Sequence, residues 1–170
     1  MLAWGSFRLD RLDDARHYWQ AAHEIAQALG GQIFFAEWFG AIEAEFVLHN
    51  GDPVAGLRRA EEALVLSQSA GSVIGEGLTE CTIGKALAAH PGRGDEACSR
   101  VMKGIQILEK IGAQYDLARA AFTEAEVRAA CGDRPGARLA AEKAASLLHE
   151  CSLAKEEAMA RTLIAELKAH

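Results

Sequence analysis

Long apolar runs are missing from this chain, and so is an excess of basic residues. The sequence has no run of about 18 apolar residues, so it predicts no transmembrane helix. Lys and Arg total 18 against 24 Asp and Glu, which gives a formal net charge of −6. A surface that binds nucleic acid or an anionic membrane without sequence preference needs excess Lys and Arg. The composition therefore predicts neither a nucleic-acid partner nor a membrane partner.

The N-terminus lacks the features of a secretory signal peptide. Met1 is followed by LAWGSFRLDRLDD, which contains neither a basic segment nor a long apolar one. Cysteines are few, and each falls in a predicted helix, where a free thiol packs as a small hydrophobe. Cys131 and Cys151 lie at opposite ends of one predicted helix, about 25–30 Å apart, too far to bond with each other within one chain. We therefore expect reduced thiols and a cytoplasmic location. The four cysteines are Cys81, Cys98, Cys131 and Cys151.

Proline is scarce, and its three positions are informative. Pro53, Pro91 and Pro135 all fall in turns that are equivalent to one another, and none falls inside a predicted helix. Strand-like alternation of apolar and polar residues is absent from the sequence, and no stretch has the composition of a linker. The chain is therefore predicted to be all-α.

Small residues and turn residues recur every 40 or 41 positions along the chain. Such self-similarity is the sequence signature of a solenoid. Ala or Gly at a helix crossing lets two helix axes approach to the near end of their usual separation of about 8–10 Å. The columns are Asp10, Gly51, Gly92 and Gly132; Gly30, Gly71 and Gly112; Ala15, Gly56, Ala97 and Ala137; Ala22, Ala63, Gly104 and Ala144; and Ala36, Gly77, Ala118 and Ala158.

One repeat domain is predicted over residues 1–170. It divides into a half repeat 1–30, repeats 31–71, 72–112 and 113–151, and a capping helix 152–170. Residues 1–9 have the pattern of a helix whose beginning is missing, which favours either a fragment of a longer protein or a degenerate first unit. The later helices are predicted at 12–29, 32–49, 53–70, 72–89, 95–111, 114–131, 135–149 and 153–168.

Helical hairpins with small residues in these columns resemble tetratricopeptide repeats. That family places a small residue mid-way in the first helix, Ala near its end, and Ala early in the second helix. The resemblance implies a right-handed α-α superhelix of about three and a half hairpins plus a capping helix, with first helices on the concave face. HEAT-like repeats, whose periods are also near 40, are the alternative. The matching positions are Ala36, Gly77, Ala118 and Ala158; Ala89 and Ala130, with Leu48 departing; and Gly56, Ala97 and Ala137.

Long-period repeats with sequences such as LEKIGAQYDLARAAFTEAEVRAACGD are similar to those in the C-terminal regions of large bacterial signalling proteins. Examples are multidomain adenylate and guanylate cyclases and ATP-dependent LuxR-type regulators, in which the repeats serve as sensor or scaffold. The resemblance implies a protein-interaction module in the regulatory C-terminal segment of a larger cytosolic signalling protein. Some tetratricopeptide domains grip a chaperone's C-terminal carboxylate with Lys, Arg and two Asn. This chain has only Asn50, so that clamp is not expected.

Catalytic and cofactor motifs do not emerge from the sequence. Gly84 and Lys85 resemble the end of a phosphate-binding loop, but the glycine spacing is wrong and Ala86 follows the lysine. His49, His90 and Cys131 share one repeat column. Neighbouring repeats hold equivalent residues about 8–10 Å apart, whereas zinc ligands lie about 2.0–2.3 Å from the metal. We therefore expect a non-enzymatic protein with no metal and no cofactor.

Aromatic residues are few, and nine of the eleven lie in the first 46 positions. They fill the core of the first hairpins, or some of them are exposed and form an interface, since Trp, Tyr and Phe are enriched at interfaces. Such an interface would meet a missing upstream repeat, a second copy of the chain in a homodimer, or a protein or peptide partner of unknown identity in the concave groove. An alternative function is ligand or peptide sensing in an aromatic-lined groove near Trp19, Trp38 and Phe39. The candidate interaction residues are Trp4, Phe7, Trp19, Phe34, Phe35, Trp38 and Phe39.

Overall fold

The computed structural model describes residues 2–30 and 36–169, with the backbone alone for residues 36–38. Over these ranges the chain forms helices joined by tight turns, with no strand. None of the described helices is long and apolar enough to cross a membrane. The helices are α1 (Leu2–Arg8), α2 (Leu12–Ala28), α3 (Ala36–His49), α4 (Pro53–Ala70), α5 (Val73–Ala88), α6 (Gly94–Lys110), α7 (Gln114–Ala130), α8 (Arg134–Glu150) and α9 (Ala154–Ala169).

Left-handed residues end the helices at regular intervals. Six glycines with φ between +66° and +84° stand at the turns, in the two columns that the sequence predicted. Asp10 shares this conformation, with φ of +58°, so its place in the glycine column is confirmed. Ser152, also at +58°, extends the other column. The six glycines are Gly30, Gly51, Gly71, Gly92, Gly112 and Gly132.

Capping side chains begin several helices. The Asp52 carboxylate accepts a hydrogen bond of 2.9 Å from the Ala55 amide, and Pro53 occupies the first turn, as predicted. Asp133 does the same at α8, accepting from the Gly136 amide at 3.0 Å. The predicted helix bounds are confirmed to within two residues for α4 to α9. Positions 32–35 of the predicted third helix lie outside the described residues.

Close helix crossings hold each hairpin together. A Cβ atom added to Gly84 on α5 would lie 2.7 Å from the Ala97 carbonyl oxygen of α6. One added to Gly104 would lie 2.6 Å from the Gly77 carbonyl oxygen. Only glycine allows backbones to approach this closely, so the small-residue columns do mark the crossings. The main core cluster spans α3 to α8 and includes Ile83, Leu87, Val101 and Leu108.

Two small-residue columns each have one exposed end, whereas Ala15 and Ala137, the two ends of another column, are buried. Ala63 and Ala144 are buried, but the equivalent Ala22 is exposed because α1, with 7 residues, is too short to cover the second half of α2. Ala118 is likewise buried, while the equivalent Ala158 on α9 is exposed. The same residue type therefore packs or faces solvent according to its place in the array.

Candidate binding groove

The odd-numbered helices line the inner face of the array. Adjacent odd-numbered helices contact one another, α3 with α5 and α5 with α7. The array curves far enough that its ends meet: Arg8 of α1 pairs with Glu156 of α9. Nearby, the Lys155 ammonium lies 2.9 Å from the Arg8 carbonyl oxygen and 2.5 Å from the Asp10 carboxylate. We call these links between α1, the turn after it and α9 the end clasp.

A groove of about 380 Å³ lies inside this curve, and every helix that contributes to it is odd-numbered. Its charged lining has four acids and four bases, His49 and Thr123 add further polar groups, and Phe122 and Met159 add apolar surface. We call it the concave groove. Its charged side chains are Arg8, Asp10, Glu45, Lys85, Arg119, Glu126, Lys155 and Glu156.

Ion pairs between odd-numbered helices organise the groove. Arg119 on α7 donates to both carboxylate oxygens of Glu45 on α3, at 3.0 Å each. Arg8 lies 3.8 Å from the same carboxylate. Lys85 on α5 pairs with Glu126 on α7 at 2.7 Å. The groove therefore presents a fixed pattern of charges rather than loose surface side chains.

Electrostatics within the groove follow from this crowding. Burial alone would raise the pKa of the Glu45 carboxyl, but the positive charges of Arg119, Lys85 and Arg8 outweigh it, and the pKa is lowered. Burial lowers the pKa of the Arg8 guanidinium, and repulsion from Arg119 adds to the effect. Glu45 thus stays ionised at neutral pH and holds two guanidinium groups beside one carboxylate.

The aromatic residues that the sequence singled out do not converge on the concave groove. Trp19 is buried and stacks on Phe46, with ring centroids 5.6 Å apart. Phe7 is buried, packs nearly at right angles to Phe46 with ring centroids 5.4 Å apart, and also lines the groove. Trp4 packs against the small core cluster that contains Trp19. Phe34 and Phe35, together with the side chain of Trp38, lie outside the described residues.

An apolar cleft of about 590 Å³ lies between the first two hairpins, and we call it the N-terminal cleft. Tyr18, Trp19 and Phe39 line it, so two of the three residues named for an aromatic groove share one cavity. Its polar rim carries His23, whose Nε2 lies 3.4 Å from the Glu43 carboxylate. The remaining lining includes Leu2, Ala22, Ile25, Ala26, Ala63 and Leu66.

The tetratricopeptide resemblance placed the first helices on the concave face, and the groove lies on those helices, but sequence patterns did not point to its charged residues. Its residues are charged side chains spread over five helices, and each one taken singly looks like part of a solvated helix face. A usable signal was the 41-residue spacing of Lys85 and Glu126, which one repeat period brings onto neighbouring helices. Among the described residues, no group of three or more His, Cys, Asp or Glu side chains is arranged to hold a metal ion.

Comparison with solved structures identifies the architecture. A signal-transduction ATPase with numerous domains and a tetratricopeptide repeat sensor, from Pyrococcus horikoshii, superimposes on 96% of this chain with a TM-score of 0.65 and 17% sequence identity. The chain spans 25% of that protein's length. No protein-family model and no curated protein matches the chain. The fold is therefore an all-α solenoid of tetratricopeptide-like hairpins.

Proposed function

We propose that this chain is a protein-interaction module that binds a peptide or protein segment in the concave groove, within a larger cytosolic signalling protein. The observation that carries the proposal is the groove itself, in which five helices present fixed charges beside the half-buried Phe122 and the exposed Met159. Backbone and side chains of an extended segment would find both hydrogen-bond partners and apolar contacts there. The proposal assigns the chain no catalytic role.

We also propose that the chain is one part of a longer signalling protein. The similar ATPase joins its repeat sensor to other domains, and this chain covers a quarter of its length. Cyclases and LuxR-type regulators are the classes of signalling protein that the repeat sequence favours. In either class, a peptide bound in the groove would change the relative orientation of the neighbouring domains and so alter the activity of the whole protein.

Selection from a random-peptide display library tests the groove directly. Peptides that bind the wild-type chain should lose at least about tenfold in affinity, on the order of 1.4 kcal/mol, when Met159 in the groove is changed to Lys. Leu139→Lys, on the exposed face of α8, is the matched control and should leave binding unchanged. Failure to select any binder, or equal loss in both variants, would contradict the proposal.

The N-terminal cleft supports a second candidate function, the sensing of a small apolar ligand. Its volume falls within the range of about 300–1,000 Å³ that small-molecule sites occupy, and its walls are aromatic and aliphatic. A ligand seated there should change the fluorescence of Trp19 and raise the melting temperature. A flat response across a metabolite library would argue against this function.

Self-association through the aromatic N-terminal half is compatible with either function. Light scattering over a concentration series separates the cases, because a chain that stays monomeric at high concentration has no homodimer interface.

A further inference from the structure

Two cysteines from neighbouring hairpins lie at the contact between α6 and α7. Cys131 directly follows α7, and its Sγ lies 3.8 Å from the Gly94 carbonyl oxygen in the first turn of α6. One turn earlier on α7, the Arg128 guanidinium lies 3.9 Å from the Met102 sulfur of α6. Cys98 comes four residues after Gly94 and four residues before Met102. Residues four apart lie on the same face of a helix, so Cys98 shares the face of α6 that carries these two contacts.

These two contacts lie on either side of Cys98 along α6 and therefore place Cys98 beside Cys131. The side chains of both are half-buried, and both pack on the main core cluster. Burial raises the pKa of the Cys98 thiol, and electrostatic repulsion from the nearby Cys131 raises it further. The two sulfur atoms are thus neighbours and remain within reach of small solutes.

The other two cysteines lack such a partner. Cys81 is buried, and this burial raises the pKa of its thiol to about 12. Cys151 is the structural counterpart of Cys131: it follows α8, is half-buried, and has its Sγ 3.8 Å from the Gln114 carbonyl oxygen at the start of α7. On α6, Cys98 stands four residues after Gly94. The equivalent position on α7, four residues after Gln114, is Ala118, so Cys151 has no second thiol beside it.

We propose that Cys98 and Cys131 form a dithiol pair that hydrogen peroxide oxidises to an intramolecular disulfide, linking α6 to α7. One thiolate attacks the peroxide, an S–O bond forms, the O–O bond breaks, and hydroxide leaves and is protonated to water. The second thiolate then attacks the sulfenic sulfur, the S–S bond forms, and the S–O bond breaks; the hydroxide that leaves takes up the second proton released by the thiols and gives a second water. Two thiols and one peroxide give one disulfide and two waters.

The bond would fix the angle between two hairpins. Helix α7 carries Arg119, Phe122 and Glu126 of the concave groove, while α6 lies in the preceding hairpin. Oxidation would therefore restrict how far the groove can open or close. The proposal itself stands on the thiol geometry and does not depend on what the groove binds.

Peptide mapping of the intact chain tests the proposal. Trypsin releases Cys98 on residues 94–100 and Cys131 on residues 129–138, while Cys81 and Cys151 fall on peptides of their own, so each linkage has a distinct mass. The chain is treated with graded hydrogen peroxide, alkylated under denaturing conditions and digested without reduction. We expect a linked peptide that joins residues 94–100 to 129–138 and disappears after dithiothreitol.

Serine variants provide the controls. Cys98→Ser and Cys131→Ser should each abolish the linked peptide, whereas Cys151→Ser should leave its yield unchanged. Circular dichroism of the variants checks that each keeps its helix content. Separate sulfinic or sulfonic acids on the two cysteines, disulfides between chains, or a linkage that involves Cys151 would each overturn the proposal.

Discussion

At the scale of single residues, the left-handed turn positions carry the period of the array. Eight such positions alternate along the described part of the chain, and six are glycine. Asp10 was predictable because its column contains three glycines. Ser152 was not, because a serine just before a helix is typical of an ordinary N-cap, and only the backbone reveals its positive φ.

Replacing Ser152 with glycine should stabilise the chain. A residue with a Cβ atom in the left-handed region is strained, and glycine relieves that strain. We expect the free energy of unfolding to rise by up to about 1 kcal/mol, measured by urea denaturation. Ser146→Gly, in the interior of α8, is the control and should lower it by about 0.5–1 kcal/mol. Destabilisation by both changes would mean that Ser152 makes a contact worth more than its strain.

At the scale of helices, the boundaries could be predicted because turn residues recur at fixed intervals. Pairings across helices were harder to predict. Glu80 is fully buried on α5 and pairs with Arg100 at 2.9 Å and Lys103 at 2.7 Å on α6. In the sequence it is one acid among many, and only the docking of α6 places two cations over it.

The crossing of α5 and α6 should not tolerate a methyl group. Alanine at Gly84 would place its Cβ 2.4 Å from a Val101 methyl carbon and 2.7 Å from the Ala97 carbonyl oxygen, and backbone cannot move aside cheaply. We expect Gly84→Ala to lower the free energy of unfolding by about 1–3 kcal/mol, measured by chemical denaturation.

Gly5 on α1 is the control for this prediction, because a Cβ atom there would meet nothing within 4 Å. Gly5→Ala should stabilise the chain by about 0.5–1 kcal/mol through helix propensity. A neutral effect of Gly84→Ala would contradict this prediction, because it would mean that α5 and α6 can move apart at little cost in free energy.

At the scale of the whole molecule, the concave groove and the end clasp could not be derived from the sequence. Arg119 and Glu45 are 74 residues apart, and Lys155 and Asp10 are 145 apart. Their meeting depends on the curvature that accumulates from small rotations between repeats. The sequence alone did not decide whether the aromatic residues belong to the core or to an interface. The structure places Phe7 and Trp19 in the core.

The end clasp should hold the array closed through charge. We expect Lys155→Ala combined with Arg8→Ala to let α1 and α9 separate, which would increase the maximum dimension measured by small-angle X-ray scattering. Salt at about 1 M, where screening acts over about 3 Å, should expand the wild type towards the same value. Arg138→Ala, which removes an exposed pair within α8, is the control and should leave the shape unchanged.

Acid provides an independent test of the clasp with a defined sign. The hydrogen bond and positive charge of Lys155 lower the pKa of Asp10. The link is therefore fully formed above the ordinary aspartate pKa of about 3.9 and is lost as the pH falls through the lower value in the folded chain. Small-angle scattering along an acid titration should show expansion only in that range. Expansion that already begins between about pH 5 and 7, where histidine titrates, would contradict this assignment and point to a histidine instead.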